Sequence, residues 1–306
     1  MSNTIETRNL TRQFGDVVAV DAVNLSINSG EIFGLLGPNA AGKSTIIRLL
    51  AGILRPSSGE ASVLGLDLFT QIEEIKRLIG YVAQYFALYP DLTVYENIEF
   101  YGGLYGIDNQ ERLQQQLELY DLVQFKNKNA GLLSGGYKRR LAMACATTHD
   151  PELIFLDEPT AGIDPVTRKE LWELFYQLST TGKTLFVTTH YMEEAERCNR
   201  LAFLNQGRIV ALGTPGQIRA SLTNQQVYSC EISHNPELTH ALMNLPGIEL
   251  VNQFGSELRI IASTLVKFDE LEKLIGDYYA KPFRLTPVSP SIEDAFMSLT
   301  SNGADQ

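Results

Sequence analysis

A short segment near the N-terminus constrains the fold more than any other part of the chain. Residues 30–54 read GEIFGLLGPNAAGKSTIIRLLAGIL, which predicts an apolar strand from Ile32 to Leu36, a glycine-rich turn and then a helix. The turn, GPNAAGKS, fits the pattern G-x-x-x-x-G-K-[ST], and its strand-loop-helix context is the one that this phosphate-binding motif requires. We therefore interpret it as a phosphate-binding loop and not as a turn that only joins a strand to a helix.

The motif assigns roles to the residues of this loop. Backbone N–H groups from Asn39 to Thr45 would surround the β-phosphate of a nucleotide, Lys43 would reach the β- and γ-oxygens, and the Ser44 hydroxyl would ligate Mg²⁺. The residues predicted to hold the phosphates are Gly37, Pro38, Asn39, Ala40, Ala41, Gly42, Lys43, Ser44 and Thr45.

Two carboxylates follow a second apolar strand. The four residues from Leu153 to Leu156 precede Asp157, Glu158 and Pro159, which predicts a buried parallel strand that ends in acids. Open α/β sheets bind ligands at this edge. Asp157 would hold Mg²⁺ and Glu158 would polarise the attacking water as general base. A helix-capping acid pair is the alternative, and a complete phosphate loop in the same chain makes it the weaker one.

A third predicted strand, Thr184 to Thr188, leads to His190. A lone histidine is ordinarily a structural residue. At the end of a strand beside this site, however, His190 could contact both the γ-phosphate and the attacking water.

Composition sets limits on the class of protein. The chain has 306 residues, of which 44% are hydrophobic, enough for one large domain and a small one. A net charge of −11 opposes binding to nucleic acid. No apolar run approaches a membrane span, the N-terminus lacks the regions of a signal peptide, and the three cysteines show no metal or disulfide pattern. We expect a cytoplasmic chain that would need a partner for any membrane role.

The order of the motifs resembles that of an ABC transporter ATP-binding subunit. The motifs are GPNAAGKST, Gln84, LSGG at 133–136, LIFLDEPT, AGIDP and TTH, and the resemblance covers residues 4 to about 220. It implies an α/β P-loop NTPase of ABC ATPase type, with a helical subdomain at about 85–150. It also implies that two chains pair head to tail, so that the LSGG turn of one closes over the γ-phosphate held by the other.

The resemblance carries further roles to individual residues. Gln84 matches the glutamine that reaches Mg²⁺ and the water, His190 the switch histidine, Asp164 the loop aspartate that senses the partner, and Phe14 the aromatic residue that stacks on adenine. The turn that faces the partner's nucleotide is Leu133, Ser134, Gly135 and Gly136. The expected catalytic residues are Lys43, Gln84, Glu158 and His190, and the expected metal ligands are Ser44, Gln84 and Asp157.

Departures from the family pattern remove no catalytic group. Ala40 stands where glycine is frequent, which could crowd the loop backbone slightly, and Tyr137 stands where many members have glutamine. Ala161 and Ile163 modify the usual SGLDP. We therefore expect both composite sites of the dimer to be active.

Three weaker patterns lead to further expectations. The segment from Gln84 to Gly106 is rich in aromatic residues, and we predict that Tyr85, Phe86, Tyr89 and Tyr95 contribute to a groove for a membrane subunit, unless about half belong to the core. The basic run 138–140 is expected to be solvated or to face the dimer. Trp172 is expected at the border of the buried face of a helix over 165–178.

The motifs stop after about residue 222. We assign 1–222 to the ATP-binding domain and 223–306 to a C-terminal accessory domain. In the second segment, strands near 227–233, 248–253, 257–262 and 283–287 alternate with helices near 236–244 and 266–276, an order that can close as a ferredoxin-like α+β unit. Ser291 and Asp294 predict a capping box for a final helix. This domain would steady or regulate the dimer, or serve only in packing.

The leading hypothesis is an ATPase that drives an ABC-2-type exporter. The run PSIEDAFMSLT resembles the C-terminal extension of such proteins. Its cofactors would be ATP and Mg²⁺. Its partners would be a second copy or a paralogous ATPase subunit and a separate integral membrane permease at the inner face of the cell membrane, with no nucleic acid. The alternatives are a soluble ABC ATPase acting on ribosomes or DNA, and a GTP switch. NKNA at 127–130 lacks the aspartate that a guanine motif needs.

Overall fold

The computed structural model describes residues 3–85, 88–222 and 224–301. The chain divides into two compact units, 1–212 and 213–306. The division falls ten residues before the boundary expected at 222, because the helix Pro215–Ala220 packs against the C-terminal helix of the second unit.

The first unit contains two sheets. Its strands are β1 (Asn3–Phe14), β2 (Val17–Asn28), β3 (Ile32–Leu36), β4 (Ser58–Val63), β5 (Leu66–Asp67), β6 (Ile79–Val82), β7 (Leu153–Asp157), β8 (Thr184–Thr189), β9 (Arg200–Asn205) and β10 (Arg208–Gly213). The order in one sheet is β10-β9-β3-β8-β7-β6, and in the other β2-β1-β4-β5. In the six-stranded sheet β9, β3, β8, β7 and β6 pair in parallel, whereas in the other sheet β1 pairs antiparallel with β2 and β4, and β4 with β5.

The helices of this unit are α1 (Lys43–Leu50), α2 (Ile72–Leu78), α3 (Val94–Leu104), α4 (Gln110–Leu119), α5 (Gly135–Thr147), α6 (Pro165–Thr180) and α7 (Met192–Ala195), with short 3₁₀ helices at Val123–Phe125 and Ala130–Leu132. Helices α3, α4 and α5 form the helical subdomain and contact one another. Thr93 and Glu96 form a capping box at the start of α3.

Both faces of the parallel sheet are buried. In β7, Leu153 and Phe155 belong to the core shared with α1 and the antiparallel sheet, whereas Ile154 and Leu156 belong to the core shared with the helical subdomain. This alternation explains why the parallel strands are continuous apolar runs. Because β3, β8 and β7 are parallel neighbours, their carboxyl ends meet at one edge of the sheet, where the site lies.

Trp172 corrects one expectation. It is fully buried in α6, in the core that also holds Leu171 and Phe175, and is not at the border of the helix. Helix α6 contacts β3, β8 and α5, so these elements cover a wider face of the helix than its sequence periodicity indicates.

The second unit is a four-stranded antiparallel sheet with helices. Its elements are α8 (Pro215–Ala220), β11 (Gln225–Glu231), α9 (Pro236–Met243), β12 (Ile248–Phe254), β13 (Glu257–Ser263), α10 (Phe268–Tyr278), β14 (Leu285–Val288) and α11 (Ile292–Ser301). The strand order β12-β13-β11-β14 is that of a closed β-α-β-β-α-β unit.

The last helix is held by one carboxylate that makes two kinds of contact. Asp294 accepts hydrogen bonds from the backbone N–H and the hydroxyl of Ser291, which completes the capping box. The same carboxylate accepts hydrogen bonds from Nε and Nη2 of Arg259 on β13, at 3.0 and 2.6 Å. Because Asp294 is 4% exposed, this pair fixes α11 on the sheet.

The described residues contain no helix long and apolar enough to cross a membrane. Cys145, Cys198 and Cys230 are buried free thiols, as their spacing indicates.

Candidate functional site

The phosphate loop joins β3 to α1. Gly42 has φ +107°, and a Cβ there would lie 2.4 Å from the carbonyl oxygen of Ala19, so the loop requires glycine at this position. Helix α1 begins at the next residue, Lys43, and its first N–H groups are directed into the loop. The result is a concave backbone surface with the positive end of a helix, which suits an anion.

Ala40 occupies an unfavourable backbone conformation in this loop. Its φ is +63°, in the left-handed region that costs a non-glycine residue about 1–2 kcal/mol. The side chain is exposed, so the backbone conformation, and not crowding by neighbouring atoms, is the main penalty of having alanine here.

Replacing Ala40 by glycine is expected to raise the free energy of unfolding of the first unit by about 0.5–1 kcal/mol, because relief of strain exceeds the entropy that glycine adds to the unfolded chain. Denaturant unfolding followed by the fluorescence of Trp172, the single tryptophan, measures this. Ala211→Gly, in β10 and without a positive φ, should lower stability. A loss of stability in both variants would contradict the strain argument.

Lys43 connects the loop to the acidic strand. Its Nζ donates to the carbonyl oxygens of Gly37 and Pro38, at 2.8 and 3.0 Å, and lies 3.4 Å from Oε1 of Glu158. Lys43 is 4% exposed, so its buried charge depends on these groups for compensation.

Asp157 is fully buried at the end of β7. Its Oδ1 accepts hydrogen bonds from Ser44 Oγ at 3.0 Å and Thr188 Oγ1 at 2.8 Å. Its Oδ2 is buried without a hydrogen-bond partner. A buried carboxylate oxygen of this kind is a ligand that a hard cation such as Mg²⁺ prefers. The donor set of Ser44, Asp157 and Gln84 therefore fits this ion.

Thr188 is a site residue that the sequence reasoning missed. Besides bonding Asp157, its Oγ1 accepts from the backbone N–H of Glu158 at 2.9 Å and so orients both acids. The available sequence signal was a threonine within a predicted buried strand, two residues before His190. Its pairing with Asp157 follows from the parallel register of β7 and β8.

Glu158 is the point at which the predicted catalytic residues meet. Gln84 Nε2 donates to Glu158 Oε2 at 3.0 Å, and His190 Nδ1 lies 3.4 Å from the same oxygen. The carboxylate side chain is 8% exposed. Glu158, Gln84 and the phosphate loop line one cavity of about 300 Å³. The loop residues that line it are Asn39, Ala40, Gly42, Lys43, Ser44 and Thr45.

Three predicted binding groups lie outside this cavity lining. The turn Leu133–Gly136 starts α5, and Gly135 lines a different cavity of about 170 Å³ with Gly162 and Ile163. Asp164 caps α6 by accepting hydrogen bonds from the N–H groups of Val166 and Thr167. The pKa of its carboxyl is lowered, mainly by a hydrogen bond from the Thr167 side chain and then by these N–H groups. Phe14 ends β1, 43% exposed, with the Arg12 guanidinium 4.4 Å from its ring centroid.

The two glycines of the turn differ in what surrounds them. A Cβ on Gly136 would lie 2.4 Å from Thr167 Cγ2, so Gly136 is needed for the contact between α5 and α6. A Cβ on Gly135 would meet no atom within 4 Å. Ser134 caps α5, with its Oγ accepting from the N–H of Tyr137 at 3.5 Å. Of these two glycines, therefore, only Gly136 is required for packing within its own chain.

Two comparisons bear on the family. The family model described as "ABC transporter" matches residues 20–161. The linearmycin resistance ATP-binding protein LnrL of Bacillus subtilis strain 168 is 34% identical over 304 residues, which cover 97% of this chain and 98% of that protein. The chain belongs to the ABC transporter family. This confirms the resemblance that the order of motifs indicates.

Other ABC transporter proteins match over the first unit. The probable multidrug ABC transporter ATP-binding protein YbhF of Escherichia coli strain K12 is 43% identical over 225 residues, which are 72% of this chain but only 39% of that protein. A dimeric ATP-binding cassette in a post-hydrolysis state with ADP and phosphate is 30% identical, with a TM-score of 0.63 over 69% of this chain and 98% of that one. The predicted α/β fold of ABC ATPase type is confirmed.

Proposed function

We propose that this chain binds ATP with Mg²⁺ and hydrolyses it to ADP and phosphate, as the ATP-binding subunit of an ABC-2-type exporter. The observation that carries the proposal is the single cavity lined by the phosphate loop, Gln84 and Glu158, with Asp157 bonded to Ser44 beside it. The names of the relatives, which include a multidrug transporter and an antibiotic resistance protein, support the export role.

The residues that line the cavity and those beside it would divide the chemistry among them. Lys43 and the loop N–H groups would bind the phosphates, and Phe14 would stack on the adenine. Glu158 would accept a proton from the attacking water, while Gln84 and His190 would hold that water and the γ-phosphate in line. Mg²⁺, when bound by Ser44, Asp157 and Gln84, would neutralise charge that develops on the phosphate oxygens.

A second chain would complete each site. We propose a head-to-tail dimer in which Leu133–Gly136 and Asp164 of one chain face the nucleotide held by the other, either a second copy or a paralogue. The dimeric cassette with ADP and phosphate supports this arrangement. The open space around Gly135 is consistent with a role outside its own chain. The accessory domain, assigned to 223–306, would steady or regulate that dimer.

An apolar cavity of the first unit is suited to bind the membrane subunit, which would hold the chain at the inner face of the membrane. It has a volume of about 380 Å³, and its lining includes Ile53, Ile79, Tyr85, Leu88, Tyr101 and Tyr105. Of the four aromatic residues predicted to form the groove, Tyr85 lines it, and Phe86 lies outside the described residues. Tyr89 packs edge-on against Phe100, with ring centroids 4.9 Å apart, and Tyr95 packs against the core.

Replacing Tyr85 by serine tests this surface. Tyr85 is 78% exposed, so we expect an unchanged Tm but at least about a tenfold loss of membrane partner recovered with the tagged chain, as for an interface anchor. Tyr278→Ser, 41% exposed on α10, is the matched control and should retain the partner. Full recovery with the Tyr85 variant would remove this surface from the proposal.

The proposed function is tested by purification from native membranes in mild detergent. The expected result is Mg²⁺-dependent ATP hydrolysis and a stoichiometric polytopic membrane protein identified by mass spectrometry. Ribosomal or DNA-bound proteins in its place would leave the ATPase chemistry intact and exclude the exporter. Hydrolysis of GTP in preference to ATP would contradict the nucleotide assignment.

A further inference from the structure

Arg139 makes an unexpected contact for a residue in a basic run on a helix. It lies on the second turn of α5, five residues after Ser134, which caps that helix. Its Nη1 donates to the carbonyl oxygen of Ala83 at 2.8 Å, and its Nη2 donates to the carbonyl oxygen of Gln84. Arg139 is therefore bonded within its own chain and not simply solvated, whereas the expectation that the run faces the dimer stays a prediction.

The contact matches the chemistry of a guanidinium group. Ala83 and Gln84 follow the last residue of β6, Val82, so their carbonyls lie beyond the strand. A planar guanidinium can donate two bonds in a fixed fork, which a lysine ammonium cannot reproduce. Burial lowers the pKa of Arg139, and the carboxylates of Asp157 and Glu158 oppose this effect, which places its charge within electrostatic range of the acid pair.

The adjacent arginine behaves differently. Arg140 Nη2 bonds Glu170 Oε2 at 2.8 Å, and Glu170 is 53% exposed. In the part of the chain that the structure describes, no hydrogen bond joins Arg140 to the loop that carries Gln84. Its side chain, 14% exposed, instead links α5 to α6 through Glu170. An ion pair of this kind is an ordinary role for a charged residue on a helix.

A continuous set of contacts runs from α5 to the acid. Arg139 holds the backbone of Gln84, and the side-chain amide of Gln84 donates to Glu158 at 3.0 Å. The start of the same helix is the LSGG turn. A shift of α5 that preserved these bonds would move the Gln84 peptide, and with it the amide that touches Glu158.

We propose that Arg139 is a positioning residue that fixes the Gln84 peptide so that the Gln84 amide reaches Glu158, and that links the LSGG helix to catalysis in the same chain. The proposal rests on the proposed ATP hydrolysis. It assigns no contact between Arg139 and the nucleotide.

A double-variant cycle tests this link. Arg139→Ala is expected to lower kcat for ATP about ten- to a hundredfold with KM within about twofold, since misplacing a positioned group costs this much without touching the nucleotide. Gln84→Ala removes the amide but keeps the carbonyl. The double variant should therefore be no slower than Gln84→Ala alone. Arg139→Lys should be intermediate, and Arg140→Ala, the matched control, should retain the wild-type kcat.

Several outcomes would overturn the inference. An Arg139→Ala enzyme with the kcat of Arg140→Ala would show that the link has no role. An equal further loss on the Gln84→Ala background would show that Arg139 does not act through that amide. If Arg139→Ala fails to fold, the same cycle with Arg139→Lys decides the matter. Absence of hydrolysis by the wild-type chain would instead contradict the proposed function.

Discussion

Glu158→Gln is expected to bind ATP and hydrolyse it about 10²–10⁴ times more slowly than the wild type. Glutamine has the shape of glutamate, so the contact with Gln84 and the lining of the cavity can persist. It has no carboxylate to accept a proton from the water. ATP then remains bound, and closed dimers should accumulate in size-exclusion chromatography with ATP and Mg²⁺.

The control for this prediction lies at the other end of β7. Glu152→Gln makes the identical change just before β7, at the opposite edge of the sheet, where the side chain is exposed. It should hydrolyse ATP at the wild-type rate and show no ATP-dependent dimer beyond the wild-type level. Normal turnover by Glu158→Gln would remove Glu158 from its role as general base.

Gly135→Asp is expected to abolish hydrolysis while leaving the chain as stable as the wild type. A Cβ at this position would meet no atom of its own chain within 4 Å, and an acidic residue in the first turn of α5 favours the helix. Across a head-to-tail dimer, the same carboxylate would face the partner's γ-phosphate. Like charges placed together at an interface cost several kcal/mol, so we expect at least about a hundredfold loss of rate.

Two further variants separate this effect from general damage. Gly103→Asp introduces the same side chain at an exposed glycine of α3, where a Cβ would likewise meet no atom within 4 Å, and should leave the rate unchanged. Gly136→Ala should lower Tm, because its Cβ would lie 2.4 Å from Thr167. Wild-type hydrolysis by Gly135→Asp would show that the turn does not approach a nucleotide.

The chemistry of the site is predictable from the sequence where it is local. A phosphate loop needs glycine at Gly42 and a lysine next to it, and these requirements are visible in eight consecutive residues. The acids after β7 are predictable for a similar reason, because a run of apolar residues that ends in two carboxylates defines both the strand and the edge.

Contacts between distant segments were not predictable in this way. Arg139 and Gln84 are 55 residues apart, and only the packing of α5 against the end of β6 brings them together. Thr188 is polar within a fully buried strand, yet its partner depends on the register with β7. Periodicity likewise underestimated the burial of Trp172, because several elements cover α6 at once.

The aromatic segment shows the same limit. An apolar cavity lies beside Tyr85, but composition could not say which rings line it and which pack together. Tyr101 of α3 and Tyr105, the residue after α3, line it, and Tyr105 stacks on His149 with ring centroids 3.7 Å apart. The choice depends on which face of α3 is turned inward.

The central claim, that each ATP is shared between two chains, is tested most directly by mixing two inactive variants. Lys43→Ala lacks the phosphate-binding lysine, and Gly135→Asp lacks a competent turn, so a mixed dimer retains one intact composite site. After equal mixing, random pairing predicts hydrolysis at up to about one quarter of the wild-type rate, from preparations that are each inactive alone. A mixture as inactive as its components, beside an active wild type, would contradict the shared site.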